Sequence, residues 1–431
     1  MDKKLYENYV AILKNELVPA LGCTEPIAIA YAAAKAKEIL GMFPEHISLC
    51  CSGNIIKNVK GVVVPNSGGL RGIDVAATLG IVGGDAARQL EVLEGITDEH
   101  IEKTKELVDR GYCSCKLQED VENLFIVARA EAENHYAEVT IINRHTLIKK
   151  IEKDGEVLLD HKMEQESPNY IDKSVLNLEG IVTFANEVDI NEIEDVISQQ
   201  IRLNTAIANE GLSNPYGAQV GRTLLETYGT DVKVRARAKA AAGSDARMGG
   251  CSLPVVINSG SGNQGMTVSL PVVEYAMELG VSNEKLYRAL VVSNLIAIHQ
   301  KKYIGSLSAY CGAVSAACGA GAGITYLYGG NVEDISQTIT NTIANVGGIV
   351  CDGAKSSCAA KIASSVDAAI LAHSMGSKKR CFKPGEGIVQ EDVEDTIRSI
   401  GYIGRVGMKN TDVEILNIMI NRVNVKEEQK A

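Results

Sequence analysis

The segment Gly348-Ile-Val-Cys-Asp-Gly-Ala-Lys-Ser-Ser-Cys-Ala-Ala-Lys361 carries two cysteines, Cys351 and Cys358, seven positions apart. A third, Cys311, lies forty residues before Cys351 in the sequence Ala-Tyr-Cys-Gly-Ala. Thiolates are soft ligands that favour zinc, copper(I) and iron–sulfur clusters. Glycines beside them permit tight turns and bring amide donors close to a cluster's sulfides. The pattern therefore suits a three-cysteine metal centre, although buried apolar cysteines are the more common explanation of such a spacing.

The composition favours a large protein rich in closely packed helices. Of its 431 residues, 45% are hydrophobic and only 4% aromatic, with 41 Gly and no Trp. This length predicts two or three domains. The net charge of −11 argues against a nucleic-acid partner. Eleven cysteines without an export signal predict reduced thiols and a cytoplasmic location.

Two uncharged stretches, 248–273 and 303–332, are the only candidates for membrane insertion. The second is long enough to span a bilayer. Its abundant Gly, Ala and Ser instead predict a buried helical hairpin, so no membrane partner is expected.

The first part of the chain predicts an α+β domain. Helical spacing covers 3–18 and about 26–40, and another helix is predicted over 66–79. Apolar strands are predicted at 47–51 and 61–65. An amphipathic helix over 98–110 precedes three alternating runs that start at Phe125, His135 and Thr146. These runs predict an antiparallel meander with one buried face, and Asp154-Gly155 fits a hairpin turn in it.

From Leu178 onward the sequence predicts helices over 178–187, 190–209, 218–227, 231–242, 267–280, 283–301, 305–327, 331–345 and 355–374. The polar stretch 160–178, which contains Pro168, predicts a linker. The chain thus divides into an α+β domain with a small antiparallel sheet (1–175) and a mostly all-α domain (176–431). The charged tail after about residue 423 is expected to fray.

Several polar loops are candidates for binding an anion through amides and hydroxyls. Two turns that flank the predicted strand 61–65 contribute Ser52, Asn54, Lys57, Ser67 and Gly68. The glycine-rich loop 258–265, with Asn263, lies inside an uncharged stretch and is therefore expected to be buried and functional. Tight turns without a ligand remain the simpler alternative for the first two. No Walker or dinucleotide-binding motif supports a phosphate site.

Three other side chains are candidates for chemistry. Cys23, in Gly-Cys-Thr-Glu-Pro, would lie at a helix N-terminus that favours a thiolate, or would be a small buried cap residue. His145 lies between two predicted strands. There it would either face a functional site or be a hydrogen-bonded structural residue. Lys355, between two cysteines, would reach a ligand or be an exposed helix lysine.

Taken together, four features resemble the L-cysteine desulfidase family, relatives of the iron–sulfur L-serine dehydratases: Gly22-Cys-Thr-Glu-Pro26, Ser52-Gly-Asn-Ile-Ile-Lys-Asn58, Ser261-Gly-Asn-Gln-Gly265 and the three cysteines. The resemblance covers nearly the whole chain, with the first ~190 residues similar to a dehydratase β-chain and the rest to an α-chain. It implies a [4Fe–4S] cluster held by Cys311, Cys351 and Cys358, without pyridoxal phosphate, in a lyase that acts on a small amino acid.

The resemblance also implies a mechanism. Three thiolates leave one iron of the cubane open as a Lewis acid for the β-thiol of cysteine or the β-hydroxyl of serine. Cys23 is the implied base for the α-proton, Lys355 would contact a cluster sulfide or the substrate, and Cys318 is expected to be core. The polar loops and His145 would bind the substrate.

Pyruvate, ammonia and sulfide or water would be the products. The short loop between Cys351 and Cys358 favours the desulfidase. The alternatives are an L-serine dehydratase with the same mechanism, a pyridoxal-phosphate eliminase and a non-catalytic zinc or redox sensor. The assembly state is left open, with a homodimer among the options.

Overall fold

The computed structural model describes residues 1–161, 171–305 and 307–423. Its first part combines helices with a small sheet, and its second part is mostly helical, which confirms the predicted fold class. The first part contains α1 (Lys3–Glu16), β1 (Pro19–Leu21), α2 (Thr24–Leu40), β2 (His46–Cys51), α3 (Gly53–Val59), α4 (Ile73–Gly83), α5 (Asp98–Asp109), β3 (Cys113–Leu117), β4 (Phe125–Ala132), β5 (His135–Ile142), β6 (Ile148–Lys153) and β7 (Glu156–Asp160).

The main sheet has six strands in the order β3-β2-β4-β5-β6-β7. Strands β2 and β3 are parallel, while the other neighbours pair antiparallel, so the predicted meander forms the centre of a mixed sheet. Side chains of β4 alternate between buried and half-buried, as expected when one face carries a core. The Ala-rich helix α2 packs on β4 and β5 and covers that face.

The second part consists of packed helices and one short strand: α6 (Leu178–Glu187), α7 (Ile190–Ser213), α8 (Val220–Tyr228), α9 (Val232–Met248), β8 (Pro254–Val256), α10 (Gly262–Leu279), α11 (Asn283–Ile304), α12 (Gly312–Leu327), α13 (Val332–Val346), α14 (Cys358–Gly376), α15 (Val393–Tyr402) and α16 (Lys409–Met419). Strand β8 pairs antiparallel with β1, so the two parts of the chain share a two-stranded sheet. This pairing holds the loop before α10 beside the start of α2.

Small residues let helices α7 and α9 approach closely. A Cβ atom at Gly211 in α7 would lie 2.0 Å from the carbonyl oxygen of Ala242 in α9, well inside van der Waals contact. Because backbone atoms cannot swing aside as a flexible side chain can, any larger residue at this position must push the two helices apart.

We therefore expect Gly211→Ala to lower the free energy of unfolding by about 2 kcal/mol, within the usual range for overpacking. Urea denaturation monitored by circular dichroism would measure it. Gly95→Ala is the matched control, because a Cβ there would meet nothing within 4 Å. Equal stability of the two variants would contradict the packing described here.

The structure corrects several predicted elements. Residues 61–65 form a turn with one isolated bridge instead of a strand, and 53–59 form α3 instead of a turn. The predicted helices 66–79, 305–327 and 355–374 begin later, at Ile73, Gly312 and Cys358. Elements that the sequence analysis missed are β1, β3, β7, β8, α15, α16, a 3-10 helix over 86–91 and a π-helical turn over 403–407.

Most of the predicted linker, 162–170 with Pro168, and the tail 424–431 lie outside the described residues. The boundary between 175 and 176 stays a prediction. In the described ranges, no helix combines the length and the apolar character needed to cross a membrane.

Candidate functional site

A cavity of ≈ 810 Å³ lies where the two parts of the chain meet. Its wall draws on the start of α2, the connection between β5 and β6, the loop before α10, the end of α11 and the segments around Cys311 and Cys351. Of the residues predicted for the site, six line it: Cys23, His145, Asn263, Cys311, Cys351 and Cys358.

A short backbone bridge brings the first two predicted ligands together. The N–H of Cys311 donates to the carbonyl of Ile349 at 3.0 Å, and the N–H of Cys351 donates to that of Ala309 at 2.6 Å. Cys311 is the N-cap of α12, and Cys358 is the first residue of α14. Helix N-termini present free amides and a positive dipole end, which favour thiolates.

The thiols of Cys311 and Cys351 interact as a pair. Hydrogen bonding from Cys311 lowers the pKa of Cys351 to about 5, helped by the nearby charge of Lys57 and the backbone amide of Gly353. The same interaction and burial raise the pKa of Cys311 well above its usual range. Burial also raises the pKa of Cys358. The interaction thus favours ionisation of Cys351 over that of Cys311.

The thiols of Cys311, Cys351 and Cys358 are of the ligand type that holds an iron–sulfur cluster. In the ranges 1–161, 171–305 and 307–423, no group of three or more His, Cys, Asp or Glu side chains is arranged to hold one metal ion. A four-iron cluster separates its ligands further, because each thiolate binds a different iron. The amides of Ala313 and Gly353 also donate to the sulfurs of Cys311 and Cys351, a contact typical of cluster sites.

Cys23 lies at the N-cap of α2, as predicted, but the expectation of a thiolate there is wrong. Its Sγ donates to the Glu25 carboxylate at 3.0 Å and makes no capping hydrogen bond. Burial and the charge of Glu25 raise the pKa of Cys23 well above its ordinary value, so the thiol keeps its proton. Cys358 packs against the small cluster that contains Cys23, which puts a fourth cysteine beside the other three.

Glu25 connects Cys23 to His145. Its Oε1 lies 3.9 Å from His145 Nε2 and accepts a hydrogen bond from Asn58 Nδ2 at 3.4 Å. Burial opposes ionisation of Glu25, but His145, Cys23 and Arg247 outweigh it and lower its pKa to about 2. The carboxylate is therefore a fixed negative charge beside the imidazole.

Buried polar atoms on the cavity wall have no hydrogen-bond partner among the described residues. They are His145 Nε2, Asn263 Oδ1, Gln264 Oε1 and Tyr310 Oη. Buried polar groups are nearly always paired, so such a set facing one cavity indicates a polar ligand. Asn263 and Gln264 lie in the first turn of α10, so only the first part of the predicted loop 258–265 is a loop. Gly260 in that part, with φ +78°, packs against the His145 ring.

The five other predicted substrate-binding residues do not line the cavity: Ser52, Asn54, Lys57, Ser67 and Gly68. The Ser52 hydroxyl donates to the carbonyl of Asn123 at 2.7 Å, and Ser67 donates to that of Leu70 at 3.1 Å. Asn54 is buried in α3, and Gly68 lies beside Ile101. Helix α3 replaces the turn predicted for Asn54 and Lys57, and the binding role of all five residues stays a prediction.

Lys57 is buried and forms an ion pair with Asp412 of α16; its ammonium also lies 3.4 Å from the carbonyl oxygen of Cys351. Lys355 precedes α14 and pairs with Asp352. Its ammonium also donates to the carbonyl of Gly353 at 3.0 Å, and it does not line the cavity. Both lysines thus contact the backbone of the segment that carries Cys351 and Cys358, and neither lines the cavity.

Removing the partner of Lys57 should strongly destabilise the fold. We expect Asp412→Ala to cost about 3 kcal/mol, because the Lys57 charge, 1% exposed, would be left buried and unpaired. Arg398→Ala, in a pair with Asp395 that is 55% exposed on both sides, is the control and should cost less than ~1 kcal/mol. Urea midpoints would measure both, and a small effect of Asp412→Ala would contradict the role of this pair.

Among the charged residues of the cavity wall that the sequence analysis missed are Glu25, Arg247 and Lys301. Glu25 lies in the quoted Gly-Cys-Thr-Glu-Pro segment, where a carboxylate two residues from the cysteine was an available signal. Arg247 donates to the carbonyl of Gly22 at 2.7 Å. Lys301 follows a long apolar stretch of α11, and a lysine at the end of such a stretch was the only indication.

A buried cavity with thiols, an imidazole, a carboxylate and an ammonium has the groups of an enzyme site for a small polar molecule. A family model described as the serine dehydratase alpha chain matches residues 87–417. The chain belongs to this family, which places it among lyase-type enzymes related to the iron–sulfur serine dehydratases. The match begins well before residue 176, so it does not follow the predicted domain boundary.

Similar chains include several UPF0597 proteins. The one from Lachnoclostridium phytofermentans is 56% identical over 417 residues, which cover 97% of this chain and 100% of the relative. The one from Desulfitobacterium hafniense is 51% identical over 420 residues, 97% of this chain and 98% of the relative. A third, from Treponema denticola, is 45% identical over 427 residues, 97% and 99% of the two chains.

Proposed function

We propose that this protein is an L-cysteine desulfidase, which eliminates sulfide from L-cysteine with the help of a [4Fe–4S] cluster held by Cys311, Cys351 and Cys358. The observation that carries the proposal is the presence of these three thiols, from two separate segments, on the wall of one cavity. Membership in the serine dehydratase alpha-chain family supports it. The bound cluster would supply a Lewis acid for the leaving sulfur.

His145 is the candidate base in this reaction, in place of Cys23. His145 lines the cavity, its Nε2 makes no hydrogen bond with the described residues, and its imidazole would accept the α-proton of the substrate. Glu25, 3.9 Å away, would stabilise the imidazolium that results. Cys23 remains protonated and, together with Asn58, holds the Glu25 carboxylate in place.

Loss of the α-proton and of the β-sulfur leaves aminoacrylate, whose imine tautomer takes up water to give pyruvate and ammonia. The net reaction is L-cysteine and water to pyruvate, ammonia and hydrogen sulfide, with no oxidant or reductant consumed.

Product analysis on the anaerobically purified protein tests the proposal. We expect L-cysteine to yield sulfide and pyruvate in equal amounts, and L-serine to yield pyruvate more slowly. Faster turnover of L-serine would assign the serine dehydratase alternative. An absence of pyruvate from either amino acid, in protein that carries iron and sulfide, would overturn both.

A further inference from the structure

Lys301 is a buried cation close to the thiols of Cys351 and Cys311. Its side chain lies on α11, is 7% exposed and lines the cavity. Its ammonium forms neither a hydrogen bond nor a salt bridge within the described ranges. Burial lowers the pKa of Lys301 to about 8, although the thiols of Cys351 and Cys311 act in the opposite direction. A buried charge of this kind is costly unless an anion compensates it.

Three other cations of the cavity wall have protein partners. Lys173 pairs with Glu16, Lys302 donates to the carbonyls of Ser174 and Leu176, and Arg247 donates to that of Gly22. These contacts hold the ammonium groups of Lys173 and Lys302 and the Nε of Arg247 on protein oxygens. Lys301 differs, because its buried side chain lines the cavity and its ammonium makes no hydrogen bond or salt bridge with the described residues, which suits an anionic group of a ligand.

Acceptors for a cation lie on the same cavity wall. Asn263 Oδ1 and Gln264 Oε1 are buried and unpartnered among the described residues. The Gln264 amide lies against Gly312, the residue after Cys311, since a Cβ at Gly312 would be 2.6 Å from Gln264 Cδ. The cavity thus offers one positive group and two neutral acceptors near the cysteines.

We propose that Lys301 binds the α-carboxylate of the substrate and that Asn263 and Gln264 accept hydrogen bonds from its α-ammonium. This assignment rests on the proposed function, because it takes the ligand to be an amino acid. It orients the substrate by both of its charged groups and leaves the β-substituent free to point towards the cysteines. It also replaces the carboxylate nest that the sequence predicted from α3 and its neighbours.

Binding of L-alanine and of ethylamine to the anaerobic protein, measured by calorimetry, tests the proposal. The two ligands share the ammonium and differ in the carboxylate, and neither has a leaving group. We expect Lys301→Met to weaken L-alanine binding by about 10- to 100-fold, the usual loss for a charged hydrogen bond, and to leave ethylamine binding unchanged. Lys301→Arg should restore part of the affinity for L-alanine.

Lys285→Met is the control, because Lys285 lies on the same helix over the Tyr326 ring, away from the cavity. It should not change L-alanine binding, and a normal thermal melt of Lys301→Met excludes misfolding as the cause. Unchanged L-alanine binding in Lys301→Met would overturn the proposal. A further outcome is that Lys301→Met loses L-alanine binding while the wild-type protein makes no pyruvate from either amino acid. That result would retain the carboxylate site and reject the elimination reaction.

Discussion

Replacing Cys351 with Ala is expected to abolish elimination and the visible absorption of the anaerobic protein. A Lewis-acid metal contributes several kcal/mol to catalysis, and each ~1.4 kcal/mol is tenfold, so we expect a fall in kcat of at least about 10³-fold. Interaction with Cys311 lowers the pKa of Cys351, so the loss of Cys351 removes the cavity thiol that ionises most readily.

Pyruvate formation and the absorption spectrum, recorded on the same sample, measure this prediction. Cys381→Ala is the matched control, because Cys381 is a free cysteine of similar burial that does not line the cavity. It should retain both activity and colour. A Cys351→Ala protein with normal turnover would show that the three-cysteine site has no part in the reaction.

Replacing His145 with Asn is expected to reduce kcat by about 10²- to 10⁴-fold, the range for the loss of a positioned general base. The reason is that His145 lines the cavity and its Nε2, which makes no hydrogen bond with the described residues, lies 3.9 Å from the Glu25 carboxylate. The iron content should stay unchanged, because no predicted ligand is altered.

Exchange of the α-hydrogen of L-alanine in deuterated water gives a readout that is independent of the leaving group. Wild-type protein should catalyse this exchange, and His145→Asn should not. His135→Asn is the control, since His135 lies on the sheet surface, 52% exposed and bonded to Asp154. Normal exchange in His145→Asn would assign the base to another group.

Much of the helical framework could be predicted because apolar periodicity and caps are local signals. Helix α6 has the predicted bounds, and α11 differs from its prediction only by a longer C-terminal end. Helix α3 could not be predicted, because its Ser, Gly and Asn residues favour turns. Its stability comes from distant contacts, with Gly53 against Leu416 of α16 and the ion pair between Lys57 and Asp412.

The cysteines were predictable as a set, but their arrangement was not. Cys311 and Cys351 approach through a backbone bridge between segments forty residues apart, which no local pattern indicates. The protonated state of Cys23 follows from Glu25 and burial, not from the helix terminus that the sequence emphasised. Lys301 reaches the cavity only through the packing of α11, so its sequence neighbours gave little sign of a ligand site.

Quantitation of iron and acid-labile sulfide in the anaerobically purified wild-type chain tests the central claim most directly, namely that three thiols on one cavity wall hold a cluster. The account predicts about four of each per chain. Two results would contradict it in a chain that still eliminates sulfide from L-cysteine. One is zinc in place of iron, and the other is an aldimine absorption that borohydride removes.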